Sequence, residues 1–216
     1  MNTDYARLQM VNQQVRGWNV YDENVLSMLR KLPREQFMPA GFESMAFADT
    51  AVPIGHGEYM MTPTIEGRLL QALSLEGDEK VLEIGTGSGF MTACLASLSR
   101  HVTTIDIYSD FIESATGKLA DAGISNVDLL QMDAMQELPD GGFDAIAVTG
   151  SIQSFDPRLV EALNPGGRLF VVIGDAPTMR AKLIERTQAH DWQTVSLFET
   201  DLPPLVHGAL GPQFSF

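Results

Sequence analysis

Residues 81–90 read Val81-Leu82-Glu83-Ile84-Gly85-Thr86-Gly87-Ser88-Gly89-Phe90. A short apolar run leads into three glycines at alternate positions, and a helical pattern of apolar residues follows at 94–98. Glycine permits a tight turn and lets a ligand approach the backbone, because it has no Cβ atom. A strand, a glycine turn and a helix in this order are typical of the ligand-binding edge of an open α/β sheet.

Strand and helix patterns alternate along the rest of the chain. Strands are predicted at residues 80–84, 102–107, 127–131, 143–148, 168–173 and 193–199. Helices are predicted between several of them, including one near residues 177–190. A continuous apolar strand such as 145–148 indicates burial on both faces, as in parallel sheets. The sequence therefore predicts the α/β class, with a doubly wound, mainly parallel sheet.

The region before this pattern is different. Residues 4–18 carry apolar side chains on one helical face, namely Leu8, Val11, Val15 and Trp18. Asp22 is expected to cap a second helix, which ends before Pro33. Residues 33–60 lack clear periodicity, and long ordered loops of this kind tend to carry function. The regular pattern resumes with Thr62 and, later, Ser109 as predicted helix caps.

Charge and composition narrow the classes of partner. The chain of 216 residues has 28 acidic and 14 basic side chains, which gives a net charge of −14. A surface of this sign repels phosphate backbones and anionic lipids, so we expect no nucleic-acid and no membrane partner. The single cysteine, Cys94, fits a core position in a cytoplasmic protein. The four histidines lack the spacing of metal ligands, so no metal is predicted.

The glycine spacing indicates which nucleoside is bound. A dinucleotide site favours Gly-x-Gly-x-x-Gly, whereas here Phe90 stands where the last glycine would be. Glu83 precedes the turn, and its charge would repel a diphosphate but suit a cationic amino group. S-adenosylmethionine carries an ammonium and a sulfonium group and no phosphate. We therefore predict that this turn binds S-adenosylmethionine.

Two further acids follow successive strands. Asp106 ends the second predicted strand, 19 residues after Gly87, where a carboxylate can accept hydrogen bonds from both ribose hydroxyls. Asp133 follows the third strand, where an acid can accept from the adenine amino group. Either acid alone would more often be an ordinary strand-end carboxylate. Their order at successive strand ends favours nucleoside binding.

Several segments resemble the protein-L-isoaspartate O-methyltransferase family. The resemblance covers the glycine turn and also segments outside it, namely 10–17, 32–39, 46–50, 53–57, 143–149 and 166–169. It implies a seven-stranded Rossmann-like methyltransferase fold with an N-terminal helical extension. It also implies an N-terminal helical and acceptor-site segment at residues 1–62, packed on an S-adenosylmethionine-binding domain at residues 63–216 as one structural unit. S-adenosylhomocysteine would be the product.

The resemblance, together with the acids above, defines a set of candidate site residues. The predicted cofactor-binding residues are Glu83, Gly85, Thr86, Gly87, Ser88, Asp106, Ile107, Asp133, Ala134 and Met61. Met61 stands at the position of the family's active-site serine. Thr62 stands at the position after that serine, and Tyr59 replaces a threonine that precedes it. Gly150 and Ser151 also replace small alanines of the family. His56 belongs to a family-like Gly-His-Gly turn, and a turn role is expected for it rather than proton transfer.

The departure at Met61 leaves three functional hypotheses. A thioether cannot donate a hydrogen bond to an acceptor carboxylate. The first hypothesis is therefore a methyltransferase with a different protein, peptide or small-molecule acceptor. The second is an isoaspartyl repair enzyme that uses Tyr59, Thr62 or the backbone as a substitute donor. The third is a non-catalytic S-adenosylmethionine-binding module. The oligomeric state and the placement of residues 202–216 are not predicted.

Overall fold

The computed structural model describes residues 3–188 and 190–208. Within these ranges, seven strands form one sheet in the order β5-β4-β3-β6-β7-β8-β9. The helices are α1 (Thr3–Gln9), α2 (Glu23–Lys31), α3 (Pro63–Leu73), α4 (Phe90–Leu98), α5 (Ser109–Asp121) and α6 (Pro157–Glu161). The strands are β1 (Val52–Gly55), β2 (Glu58–Met60), β3 (Lys80–Ile84), β4 (His101–Asp106), β5 (Val127–Gln131), β6 (Phe143–Ile152), β7 (Leu163–Ile173), β8 (Met179–Gln188) and β9 (Asp191–Thr200).

The topology of the sheet determines where a ligand can bind. Strands β5, β4, β3, β6 and β7 pair in parallel, whereas β8 and β9 pair antiparallel. The chain winds outward from β3 through β4 to β5, and from β6 through β7 on the other side. The strand order therefore reverses between β3 and β6, and a crevice opens at their carboxyl ends. The predicted α/β fold with a doubly wound, mainly parallel seven-stranded sheet is confirmed.

The predicted helix near residues 177–190 is wrong. Residues Met179–Gln188 form strand β8, which pairs with β7 from Arg168 opposite Glu185 to Ile173 opposite Arg180. Met179 and Ala181 are buried while Arg180 between them is exposed, a period-two pattern. Pairing with the free edge of β7 overrides the local helix preference of this segment. The predicted strand at 193–199 is present as β9, and residue 189 lies outside the described residues.

The N-terminal helix also departs from its prediction. Helix α1 passes into a π-helical turn at Met10–Val15 and a short 3-10 turn at Arg16–Trp18. Val11 and Val15 are buried as predicted, but Leu8 and Trp18 are 40% and 47% exposed. The wider π turn shifts the residues that follow it around the helix axis, so a single 3.6-residue stripe does not persist.

The helix caps are confirmed in part. The Asp22 carboxylate accepts hydrogen bonds from the N–H groups of Asn24 and Val25, at 2.8 and 3.3 Å. Thr62 holds the N-cap position of α3, but its side chain makes no capping bond. Ser109 is the first helical residue of α5, and Tyr108 precedes it at the cap.

The N-terminal region packs on one face of the sheet. Side chains of residues 10–61 and of the sheet share a single buried apolar cluster. Gly67 of α3 allows this close approach, because a Cβ there would lie 2.6 Å from Val15 Cγ1. Placing the domain boundary at residue 62 stays a proposal, and residues 1, 2 and 209–216 of that division lie outside the described residues. Among the described helices, none has the length and apolar content to cross a bilayer.

Candidate active site

A cavity lies at the carboxyl ends of β3, β4 and β6. The structure brings together most of the predicted residues in its wall. These are Tyr59, Met61, Gly85, Thr86, Gly87, Ser88, Asp106, Ile107, Asp133 and Ala134. Glu83 and Thr62 are not among the lining residues.

The glycine turn forms the floor of the cavity. Gly85, Gly87 and Gly89 have φ of 99°, 50° and 83°, a region that side chains rarely adopt. The turn is also crowded: a Cβ on Gly85 would collide with Thr149 Oγ1, and one on Gly89 would lie 2.9 Å from Ala115 Cβ. Each glycine is therefore required by the conformation of the turn, as the alternate spacing predicts.

Asp106 fastens this turn to the end of β4. Its Oδ2 accepts from the Gly87 N–H at 2.9 Å, and its Oδ1 accepts from the Tyr108 N–H at 3.0 Å. Burial raises the pKa of Asp106, and hydrogen bonds from these backbone N–H groups oppose that rise. Asp106 also lines the cavity, where a carboxylate is a hydrogen-bond acceptor suited to hydroxyl groups.

Asp133 follows β5 and is linked to the C-terminal segment. Its Oδ1 accepts from the Met135 N–H at 2.9 Å, and its Oδ2 accepts from Gln136 Nε2 and His207 Nδ1, both at 2.8 Å. Burial acts to raise its pKa, but hydrogen bonds from His207, the Met135 N–H and Gln136 outweigh burial and leave the pKa lowered. Asp133 is therefore an ionised acceptor at the cavity wall.

Glu83 is not among the residues that line the cavity, and its binding to a ligand ammonium stays a prediction. Its side chain is fully buried, and its Oε2 accepts from the hydroxyls of Thr92 and Thr104 at 2.5 and 2.6 Å. Burial raises its pKa to about 8, so the carboxyl is mostly protonated at neutral pH. The Thr104 hydroxyl also lies 2.6 Å from that of Thr86. Glu83 therefore supports the glycine turn through the hydroxyls of Thr104 and Thr86.

Of Tyr59, Met61 and Thr62, the first two line the cavity and Thr62 does not. Met61 is buried and Tyr59 is half-exposed, and both line the cavity. The Thr62 hydroxyl instead lies 3.1 Å from that of Thr64, which donates to Asp49. Of the two candidate side-chain donors, the structure brings only Tyr59 to the cavity. His56 stacks on Tyr108 and pairs with Asp110 at 2.9 Å, outside the cavity wall.

Sequence reasoning missed several cavity residues. Glu58 lines the wall, and burial followed by the nearby Asp106 charge raises its pKa. Glu58 directly precedes residues 59–62, which depart from the family pattern, and this position could have identified it as a site residue. Residues 203–206 also line the cavity, although they are far from it in sequence and match no motif. Among the described lining residues there is no lysine, arginine or histidine.

Comparisons with known proteins agree with this architecture. The family model of protein-L-isoaspartate(D-aspartate) O-methyltransferase matches residues 6–208. A protein-L-isoaspartate O-methyltransferase 1 of Rhodopseudomonas palustris strain HaA2 is 37% identical over 202 residues, which are 93% of this chain and 82% of that one. A protein-L-isoaspartate O-methyltransferase of Brucella anthropi is 34% identical over 217 residues, 99% of each chain.

A solved structure shows the same fold. It is described as a protein-L-isoaspartate O-methyltransferase of Plasmodium falciparum in complex with S-adenosyl-L-homocysteine. It superposes with a TM-score of 0.79 at 21% identity and covers 92% of this chain and 97% of that one. With a matching family model and relatives over nearly the whole chain, this protein belongs to the protein-L-isoaspartate O-methyltransferase family of S-adenosylmethionine-dependent methyltransferases.

Proposed function

We propose that the cavity holds S-adenosylmethionine and that this enzyme methylates an acceptor other than the isoaspartyl carboxylate. The adenosyl group would lie between Asp106 at the ribose and Asp133 at the adenine, with Ile107 and Ala134 beside the base. The turn at Gly85, Thr86, Gly87 and Ser88 would carry the amino-acid portion. S-adenosylhomocysteine would leave as the product.

The observation that carries the altered acceptor is Met61. Its side chain occupies the cavity wall where the family has a serine, and the Thr62 hydroxyl points elsewhere. A hydrogen bond to a charged group contributes roughly 1.5–3 kcal/mol, and Met61 offers no donor to replace it. An acceptor carboxylate would therefore be held more weakly here, by about ten- to a hundredfold in binding.

The charge of the cavity favours the same conclusion. The Glu58 carboxylate lines the wall near Asp106, and no cationic side chain of the described residues lines it with them. A carboxylate acceptor would meet like charge at close range, which is unfavourable in a partly buried site. An uncharged or cationic acceptor would meet no such repulsion.

The bound cofactor supplies an electrophilic methyl group on its sulfonium. The protein's part is to orient the acceptor atom toward that methyl group and to exclude water. Met60, Met61 and Met91 provide an apolar wall for this purpose. For an acceptor that loses a proton on methylation, Glu58 is a cavity carboxylate able to take it.

A second candidate is the family's own reaction. Tyr59 lines the cavity and its hydroxyl is a hydrogen-bond donor, so it could hold an isoaspartyl carboxylate in place of the serine. The relatives named above are protein-L-isoaspartate O-methyltransferases, which supports a protein or peptide acceptor.

A methyl-transfer assay distinguishes the two candidates. Labelled S-adenosylmethionine is offered with an isoaspartyl peptide, with its aspartyl twin and with a mixed pool of metabolites. We expect little transfer to either peptide by the wild-type protein and a gain of about tenfold or more on the isoaspartyl peptide in Met61→Ser. Met60→Ser is the matched control, because Met60 is a buried methionine of the same wall.

Each outcome of the assay favours a different one of the functional hypotheses. Efficient wild-type transfer to the isoaspartyl peptide, lost in Tyr59→Phe, would establish the second candidate and refute the altered acceptor. Cofactor binding without transfer to peptide or pool would identify a non-catalytic module. An equal response of Met60→Ser and Met61→Ser would remove Met61 as the cause.

A further inference from the structure

The segment 202–208 closes one side of the cavity by binding the end of β6. Ser151 donates from Oγ to the Leu202 carbonyl and from its N–H to the Pro203 carbonyl, at 2.8 and 2.9 Å. The Leu205 N–H donates a hydrogen bond to the Ser151 carbonyl at 2.8 Å. A turn closed by the Gly208 N–H on the Leu205 carbonyl then brings His207 to Asp133.

Two departures from the family pattern accommodate this segment. A Cβ on Gly150 would lie 2.9 Å from Leu205 Cδ2 and 3.2 Å from the Pro203 carbonyl oxygen. The Ser151 hydroxyl, which an alanine would lack, makes the bond to Leu202. Segment 202–208 therefore packs closely against Gly150 and Ser151 and forms part of the cavity wall.

The hydrogen bonds of Asp133 leave it with one free position. An ionised carboxylate accepts at about four lone-pair positions, two on each oxygen. Gln136 and His207 occupy both positions on Oδ2, and the Met135 N–H occupies one on Oδ1. Because Asp133 can only accept, His207 carries its proton on Nδ1 toward that carboxylate.

His207 holds this position by an uncommon backbone conformation. Its φ is 63°, in the left-handed region that glycine adopts freely and that histidine, asparagine and aspartate adopt more often than other side chains. Its side chain is 60% exposed, so packing does not hold the ring in place. The bond to Asp133 is thus the described contact that orients the imidazole.

We propose that His207 is a positioning residue that restricts Asp133 to a single free acceptor position and so selects a purine that bears a 6-amino group. This inference rests on the proposed function, in which Asp133 faces the adenine. His207 acts through Asp133 and is not in the cavity wall. Without it, the Asp133 carboxylate keeps a second free position and loses one restraint on its rotation.

Calorimetry with two ligands tests the inference. The ligands are S-adenosylhomocysteine and its counterpart with hydrogen in place of the 6-amino group, and the measured quantity is the ratio of their dissociation constants. We expect a wild-type ratio of about ten or more, since one hydrogen bond to a charged group is lost. His207→Gly, which tolerates the φ of this position, should lower that ratio at least threefold. His207→Asn keeps a donor near Nδ1 and should restore it.

A second His–Asp pair provides the control. His101 Nε2 lies 2.9 Å from Asp128 Oδ2 at the far end of β4, so His101→Asn should leave the ratio unchanged. Two results would overturn the inference: an unchanged ratio in His207→Gly, or equal weakening of both ligands, which a purely structural wall would produce. A wild-type protein that binds neither ligand would refute the cofactor assignment, and this inference with it.

Discussion

Arg34 and Glu66 form a buried, bidentate ion pair at the cavity, and Glu66 is one of the residues that line it. Arg34 Nε lies 3.0 Å from Glu66 Oε2 and Nη2 lies 2.9 Å from Oε1, with side chains 1% and 2% exposed. Arg34 also donates from Nη1 to the Ala46 carbonyl at 2.8 Å and to Met38 Sδ at 3.6 Å, and from Nη2 to the Met61 carbonyl at 2.7 Å. One guanidinium therefore fixes the backbone carbonyl of Met61, a residue of the cavity wall.

Breaking this pair should be costly. Glu66→Gln leaves the Arg34 charge buried without a carboxylate, and we expect a loss of about 3–5 kcal/mol in the free energy of unfolding. Urea unfolding followed by circular dichroism measures it. Arg180→Ala, which removes an exposed pair with Glu199, should cost less than about 1 kcal/mol. Similar losses in the two variants would contradict a stabilising role for the buried pair.

Asp106 should control cofactor affinity. Asp106→Asn removes a charged acceptor that also receives the Gly87 N–H, and we expect binding of S-adenosylhomocysteine to weaken by about ten- to a hundredfold. Calorimetry measures the affinity. Asp128→Asn, an exposed aspartate on the neighbouring strand, is the control and should leave it unchanged. An Asp106→Asn protein with wild-type affinity would refute the ribose assignment.

Glu83 should make the stability depend on pH. Its pKa is 4.5 in the unfolded chain and about 8 when buried, so the folded state binds the extra proton between these values. The free energy of unfolding should therefore fall as the pH rises from about 4.5 to 8. Glu83→Gln removes this contribution, and its profile should be flatter. Urea denaturation at several pH values measures the free energy of unfolding of both proteins. If it changes with pH by the same amount in wild type and variant, Glu83 does not titrate as described.

Gly150 should tolerate no side chain. A methyl group there would press on Leu205 and the Pro203 carbonyl, and we expect Gly150→Ala to cost about 1–3 kcal/mol and to speed proteolysis of segment 202–208. The matched control is Gly117→Ala in helix α5, where the Cβ meets no atom within 4 Å. That variant should gain up to about 1 kcal/mol, because alanine favours helix. Equal protease resistance of wild type and Gly150→Ala would argue against close packing of segment 202–208 on Gly150.

Much of the fold was predictable because its signals are local. The alternation of apolar strands and amphipathic helices, the Asp22 cap and the glycine turn each depend on residues a few positions apart. Segment 179–188 was mispredicted because its partner, β7, is what makes it a strand. The π turn at Met10–Val15 was likewise invisible to a pattern that assumes a constant helical period.

The site residues at the carboxyl ends of strands could be predicted, because parallel strands end at the same edge of the sheet. Asp106 and Asp133 follow neighbouring strands, so parallel topology alone brings them to one edge of the sheet. Glu83 is not in the described cavity wall, and the sequence could not show this, because the face to which a strand side chain points depends on the packing of the sheet. His207 lies 74 residues from Asp133, and no spacing rule connects two such positions.

The sequence by itself determined the fold class, the glycine turn and the acids at its strand ends, because these follow from short-range periodicity and from the direction of parallel strands. Only the tertiary structure decided that Glu83 supports the glycine turn through threonine hydroxyls, that Arg34 holds the Met61 backbone and that segment 202–208 closes the cavity. Each of these depends on which distant side chains become neighbours in the packed core, a property that the local pattern of residues does not contain.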